Sequence, residues 1–133
     1  MSDWNAGIIE EFRANEGRVA SFGKQPLLLL THTGAKTGTK RTNPLAYFPD
    51  GDRFVIVASK GGAPTNPDWY HNLRANPHAT VEMGTETFDV TAEEAGPEER
   101  ERLWELVTTS NANFKEYEGK TARTIPLFIL RRA

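Results

Sequence analysis

Apolar residues Trp4, Ile8, Ile9 and Phe12 recur at steps of three and four, the spacing of one helical face. With Gly17 to stop it, the pattern predicts an amphipathic helix over Asp3 to Asn15. Beyond a link containing Gly23 and Pro26, Leu27 to Thr33 reads as a strand, Gly34 to Gly38 as a turn, and Thr39 to Phe48 as the returning strand. Pro49, Asp50, Gly51 and Asp52 are tight-turn residues, and Phe54 to Ala58 alternates and β-branches like a third strand. Ser59 to Pro67, rich in Gly, Pro and Asn, predicts a loop. Asp68 then caps a short helix to about Ala75, ended by Asn76 and Pro77. A second hairpin, Ala79 to Met83 and Thr85 to Ala92, turns at Gly84. Pro97 opens a longer helix whose apolar stripe of Leu103, Leu106 and Val107, with Trp104 beside it, opposes Glu98, Glu99, Glu101 and Glu105. The tail Ile125 to Leu130 returns to strand pattern.

Six strands joined mostly by short turns imply an antiparallel sheet, and on so short a chain they avoid exposed edges best by curling into a small barrel. The expected class is α+β, mainly β, with helices flanking a six-stranded antiparallel barrel. At 133 residues the chain buries one core and is too short for two ordinary domains, so residues 1–133 read as a single domain. Residues 1–17 are then a helix packed on the barrel or lying over it as a lid.

Composition removes several classes of chemistry. Without cysteine there are no disulfides, no thiolate nucleophile and no Cys-ligated zinc or iron–sulfur site. A formal net charge of -2 argues against a general nucleic-acid binder, so any polyanion site must be a local patch. The sequence shows neither an apolar run long enough to span a bilayer nor the basic start and apolar middle of a signal peptide, which predicts a soluble cytoplasmic protein.

The most informative stretch is Gly34-Ala35-Lys36-Thr37-Gly38-Thr39-Lys40-Arg41, followed by Thr42-Asn43-Pro44. Its glycines let backbone approach a ligand, while Lys36, Lys40 and Arg41 with the hydroxyls of Thr37 and Thr39 are the donors a phosphate requires. It is not a Walker P-loop, because Gly38 is followed by Thr39 before Lys40 and no helix follows. On spacing alone a solvated cationic hairpin tip is an equal reading. Ala58-Ser59-Lys60-Gly61-Gly62 leaves the third strand and is either a second set of phosphate donors or a flexible turn. Trp69 and Tyr70 could stack on a planar ring, although aromatics in a short helix are more often core. His32, His71 and His78 show no ligand spacing, which predicts no metal, and no Gly-x-Ser-x-Gly surrounds Ser59 or Ser110.

Five ordered blocks resemble the deazaflavin-dependent nitroreductase family of actinobacteria: Thr33 to Gly38 with Arg41 to Leu45, Ala58 to Gly62, Asn66 to Leu73, Asn76-Pro77, and Arg123 to Pro126. The resemblance covers nearly the whole chain. It implies an FMN-binding-type split barrel that holds coenzyme F420, a deazaflavin with a phosphodiester and an oligoglutamate tail, and passes its hydride to a quinone, enone, unsaturated lactone or nitroaromatic ring. By the same resemblance Lys36, Thr37, Lys40, Arg41 and Asn43 belong to the cofactor site, with Lys36 and Arg41 at the phosphate and acidic tail. Ser59 and Lys60 add donors, Pro44 and Val57 border the ring, Trp69 covers the tail, and Ala58 and Gly61 complete the cofactor site. Tyr117 and Ser59 are the catalytic candidates. Asn111 and Phe114 stand where relatives carry tyrosine, and the drier pocket this gives favours bulky apolar acceptors such as aflatoxin-type lactones.

Other readings remain open on the residues alone. FMN could occupy the same fold, or the chain could carry F420 without catalysis; an RNA-binding barrel is disfavoured by the acidic net charge. The N-terminal helix allows peripheral contact with the inner face of the cell membrane, although its acidic polar face is unlike that of an anionic-lipid binder. Monomer and homodimer are both compatible with the sequence.

Overall fold

The computed structural model describes residues 3–20, 25–58, 66–120 and 125–133. Strands β1 (Leu27–Thr33), β2 (Lys40–Asp50), β3 (Arg53–Val57), β4 (His78–Met83), β5 (Glu86–Glu94) and β6 (Leu127–Arg132) close into one barrel in the order β1-β2-β3-β6-β5-β4. Every neighbouring pair is antiparallel. Three pairings are the local hairpins that the turn residues encode. Closure comes from the long-range ones, Leu30 opposite Val81, Val57 opposite Leu127 and Ala92 opposite Leu130.

Strand alternation explains the Leu27 to Leu30 run, which is apolar on both faces because both are covered. Leu28 and Leu30 join Ile56, Val81, Val90, Phe128 and Leu130 in the barrel interior, one end of which helix α2 (Asp68–Ala75) plugs with Trp69, Tyr70 and Leu73. Leu27 and Leu29 instead face helix α1 (Asp3–Ala14), where Ile8 and Phe12 are buried with Val19. A third cluster lies on the opposite wall. There Phe48, Val55, Val57 and Ile129 receive Leu103 and Val107 of helix α3 (Pro97–Ser110) and Phe114 of helix α4 (Asn113–Gly119). Each such fully buried aliphatic contributes about 1.5–3 kcal/mol through the water it no longer touches.

The elements depart from the sequence pattern chiefly at their ends. Strand β2 runs on past Phe48 to Asp50, with Pro49 opposite Phe54 beside the hairpin turn. Strand β6 begins at Leu127 and continues through Arg131 and Arg132, whose pairing with Thr91 and Val90 the apolar pattern does not register. Helix α4 has no counterpart in the apolar pattern: α3 stops where Asn111 turns extended, at φ -150°, and a short new helix follows. Among the described residues no helix is long and apolar enough to cross a membrane.

Candidate functional site

The turn between β1 and β2 is held by its own backbone. The Gly34 amide donates to the Thr39 carbonyl at 2.8 Å and the Gly38 amide to the Gly34 carbonyl at 2.9 Å. Gly38 takes φ +69°, a conformation that side chains disfavour, and a Cβ on Gly34 would sit 2.7 Å from the Thr37 hydroxyl. The Thr39 amide donates to that hydroxyl at 3.2 Å, and the Ala35 amide donates to Asn72 Oδ1 of α2 at 2.9 Å. The amides of Lys36 and Thr37 are left without a partner among the described residues.

Turn and helix enclose a cavity of about 490 Å³ lined by Lys36, Thr37, Arg41, Asp68, His71 and Asn72, together with Gly34 and Ala35. Lys36, Lys40 and Arg41 form no ion pair among the described residues, whereas Arg13, Arg53, Arg74, Arg102, Arg131 and Arg132 each meet a carboxylate. Two free cations and two free amides beside one cavity are a donor set for an anion, tempered only by Asp68.

Behind this cavity lies a buried polar chain that sequence reasoning passed over. His32, 2% exposed, bonds Asn43 Oδ1 through Nε2 at 2.6 Å and Asn72 Nδ2 through Nδ1 at 3.0 Å. Burial pushes the His32 pKa below its ordinary value, against the hydrogen bond to Asn43; Arg41 lowers it further and Asp68 raises it. In the sequence His32 stands out only as a candidate metal ligand and Asn72 only within the Asn66 to Leu73 block. Their joint signal was the inward register of β1 facing the buried side of an eight-residue helix.

The remaining predicted residues divide by the two-residue period of the strands. Arg41 and Asn43 share the inward register of β2 with Leu45, opposite His32 and Leu30, whereas Lys40 and Pro44 share the outward register with Ala46 and Phe48. Lys40 accordingly lines a separate cavity of about 380 Å³, with Thr31, Thr33, His78 and Asp89 among its walls. Pro44 stands where β3 does not accompany β2, since that pairing spans only Tyr47 to Asp50, an edge position of the kind to which proline is confined. Val57 and Ala58 are buried, Val57 in the outer cluster against which Tyr117 packs. Tyr117 meets Phe114 edge-on at 5.5 Å, and Phe114 in turn meets Phe48 at 5.6 Å. Trp69 is 4% exposed and packs on Phe128 at 6.0 Å, so its ring is core and leaves almost no surface with which to cover a ligand. Ser59, Lys60 and Gly61 lie outside the described residues.

A closed six-stranded barrel with a cation-lined cavity at one mouth and helices packed on its wall defines a split-barrel cofactor-binding protein. The sequence pattern described as F420H(2)-dependent quinone reductase matches residues 6–132. An F420H(2)-dependent quinone reductase of Mycobacterium tuberculosis is 45% identical over 126 residues, covering 91% of this chain and 85% of that one. A solved F420-H2 dependent reductase is 44% identical with a TM-score of 0.73, covering 80% of this chain and 94% of that one. Another solved structure, described as a domain-swapped dimer, is 39% identical with a TM-score of 0.75, covering 97% and 98%. The chain belongs to the F420H(2)-dependent quinone reductase family. It is an oxidoreductase, and its cofactor is coenzyme F420. The free cations and amides around the 490 Å³ cavity fit the cofactor's anionic handle.

Proposed function

We propose that this protein delivers a hydride from reduced F420 to a quinone, and by the same chemistry to an enone, an unsaturated lactone or a nitroaromatic ring. The observation that carries the reading is the mouth of the barrel, where Lys36, Arg41 and the amides of Lys36 and Thr37 have no protein partner among the described residues. In this reading Lys36, Thr37 and Arg41 take the phosphodiester and glutamates. Pro44 and Val57 border the ring, Ser59, Lys60 and Gly61 add donors, and Ala58 and Trp69, both buried, act only through the core beneath. When bound, the cofactor supplies a two-electron hydride donor, and the chain supplies orientation, exclusion of water and a proton. The Tyr117 hydroxyl is the proton donor of choice.

For the acceptor we assign the cavity of about 370 Å³ beside the Tyr117 cluster, floored by Pro26, Phe48 and Pro49. Its rim is an amide bridge, Asn111 Nδ2 donating to Gln25 Oε1 at 2.8 Å. Such a cleft, apolar below and amide-edged above, suits a flat carbonyl compound. Phe114, packed edge-on against Phe48 of its floor, favours bulky lactones of the aflatoxin type. A second copy of the chain is the inferred partner, by analogy with the relative described as a domain-swapped dimer.

Fluorescence-quenching titration with F420, beside FMN and NADPH, tests the cofactor site. Stopped-flow reoxidation of reduced F420 by menadione, an enone and a nitroimidazole then tests the acceptor. Tight F420 binding with rapid reoxidation by menadione is expected. Binding without reoxidation makes the protein a carrier, and tight binding of FMN alone overturns the assignment.

A further inference from the structure

We infer that His32 and Asn72 are positioning residues for the cofactor's anionic handle, holding the Gly34 to Gly38 turn at the cavity through one directional chain of hydrogen bonds. The inference rests on the cofactor reading above but uses groups that reading leaves idle.

The direction of the chain follows from its first donor. A backbone amide can only donate, so Asn72 must turn Oδ1 to Ala35, at 2.9 Å, and therefore Nδ2 to His32 Nδ1, at 3.0 Å. Nδ1 must then accept, which places the imidazole hydrogen on Nε2, donating to Asn43 Oδ1 at 2.6 Å. One amide in the turn thus fixes two carboxamides and a tautomer across β1, β2 and α2. The chain is shielded, with Asn72 8% exposed and His32 2%. No buried side-chain nitrogen or oxygen among the described residues lacks a partner.

A proton on Nδ1 would break the chain. Were Nδ1 protonated, it would face the Asn72 amino group donor to donor. Turning the Asn72 carboxamide over would repair that contact and aim the amino group at the Ala35 amide instead. Either way the turn loses its tether to α2, and with it the fixed placing of Lys36 and Thr37 on the cavity wall. The charged and titratable groups around this chain are Arg41 on β2 and Asp68 on α2, with Lys36 and His71 lining the same cavity.

The test compares F420 with the deazaflavin chromophore lacking phosphate and glutamates, each titrated by fluorescence quenching against the full chain. Asn72→Ala and His32→Leu are expected to weaken F420 by about tenfold, the worth of one buried hydrogen bond, and to leave the tail-less chromophore unchanged. His32→Gln, which offers an acceptor and a donor on one carboxamide, should restore most of the loss. Equal losses for both ligands, or none for F420, overturn the positioning role. Should those variants fail to fold, nitrogen NMR of the wild-type imidazole at neutral pH decides: Nδ1 bare and Nε2 protonated, with a slowly exchanging Ala35 amide, supports the chain, and the reverse tautomer overturns it. Wild type binding neither ligand overturns the cofactor reading as well, whereas normal wild type with unaffected variants removes only the chain.

Discussion

Two helices are fastened to this barrel in opposite ways. At the mouth, α2 is tied to the β1–β2 turn by a neutral, buried chain through Asn72 and His32. On the wall, α3 is held by apolar burial of Leu103 and Val107, and its Glu99 and Arg102 reach from the solvent side to Asp50 and Arg53 at the β2–β3 turn, Asp50 meeting both arginines and Glu99 pairing with both. Ion pairs with water nearby contribute little because solvent screens them, whereas a buried polar group must be matched or it destabilises. The wall therefore draws its stability from area, and the mouth draws its geometry from hydrogen bonds. A site that must keep a cavity open beside a helix cannot be closed by packing alone.

The largest effect should come from the wall. Leu103→Ala, at a fully buried position, is expected to destabilise by about 2–5 kcal/mol in chemical denaturation while leaving the F420 affinity of the folded fraction unchanged. A lost affinity would mean that the two regions are mechanically one. Tyr117→Phe, in the same cluster, should slow menadione turnover by about 100-fold, a modest share for a proton donor, with little change in F420 affinity. Equal losses in both would make it a packing residue. At the mouth, Lys36→Ala should weaken F420 by about tenfold in dilute buffer and by less as salt rises. A loss indifferent to salt would take Lys36 out of charge recognition.

The difference between the regions also explains what the sequence revealed. Patterns of period two and 3.6 report which faces are apolar, so the six strands, α2 and the stripe of α3 were legible within a few residues. Glycines and cations are legible by type, and the structure brings Lys36 and Arg41 of that stretch to one cavity. Two things escaped. Lys40, one residue from Arg41, falls on the other face of β2 and lines another cavity, because alternation and not proximity decides which side a strand residue serves. His32 and Asn72 are forty residues apart, and nothing local distinguishes a buried partnered histidine from an exposed one. Trp69 belonged with the core, as an aromatic on the buried side of a short helix usually does.

Acid separates the regions further. Because the folded His32 pKa is lowered, the unfolded chain takes up a proton first, so stability should fall as pH drops below about 6.5, by at most about 1.4 kcal/mol per pH unit. His32→Gln should flatten that slope in denaturant titrations between pH 7 and 5. An unchanged slope would assign it to other groups.

The smallest effect belongs to the surface cluster. Hydrogen bonds from Arg102 and then Arg53 hold the Asp50 carboxyl down at about 2, from 3.8, and burial works weakly against them. A depressed carboxyl contributes stability that is whole above its unfolded value and disappears as pH falls through the folded one, so this contribution should vanish between about pH 4 and 2. Arg102 is half-exposed and Glu99 more than a third, whereas Asp50 and Arg53 are largely covered, so Asp50→Asn at pH 7 should cost about 1 kcal/mol, the upper end for a solvent-screened pair. That loss should shrink in high salt and leave menadione turnover untouched. If Asp50→Asn instead destabilised as much as Leu103→Ala, the charges and not the apolar area would be what fastens α3, and the contrast with the mouth would fail.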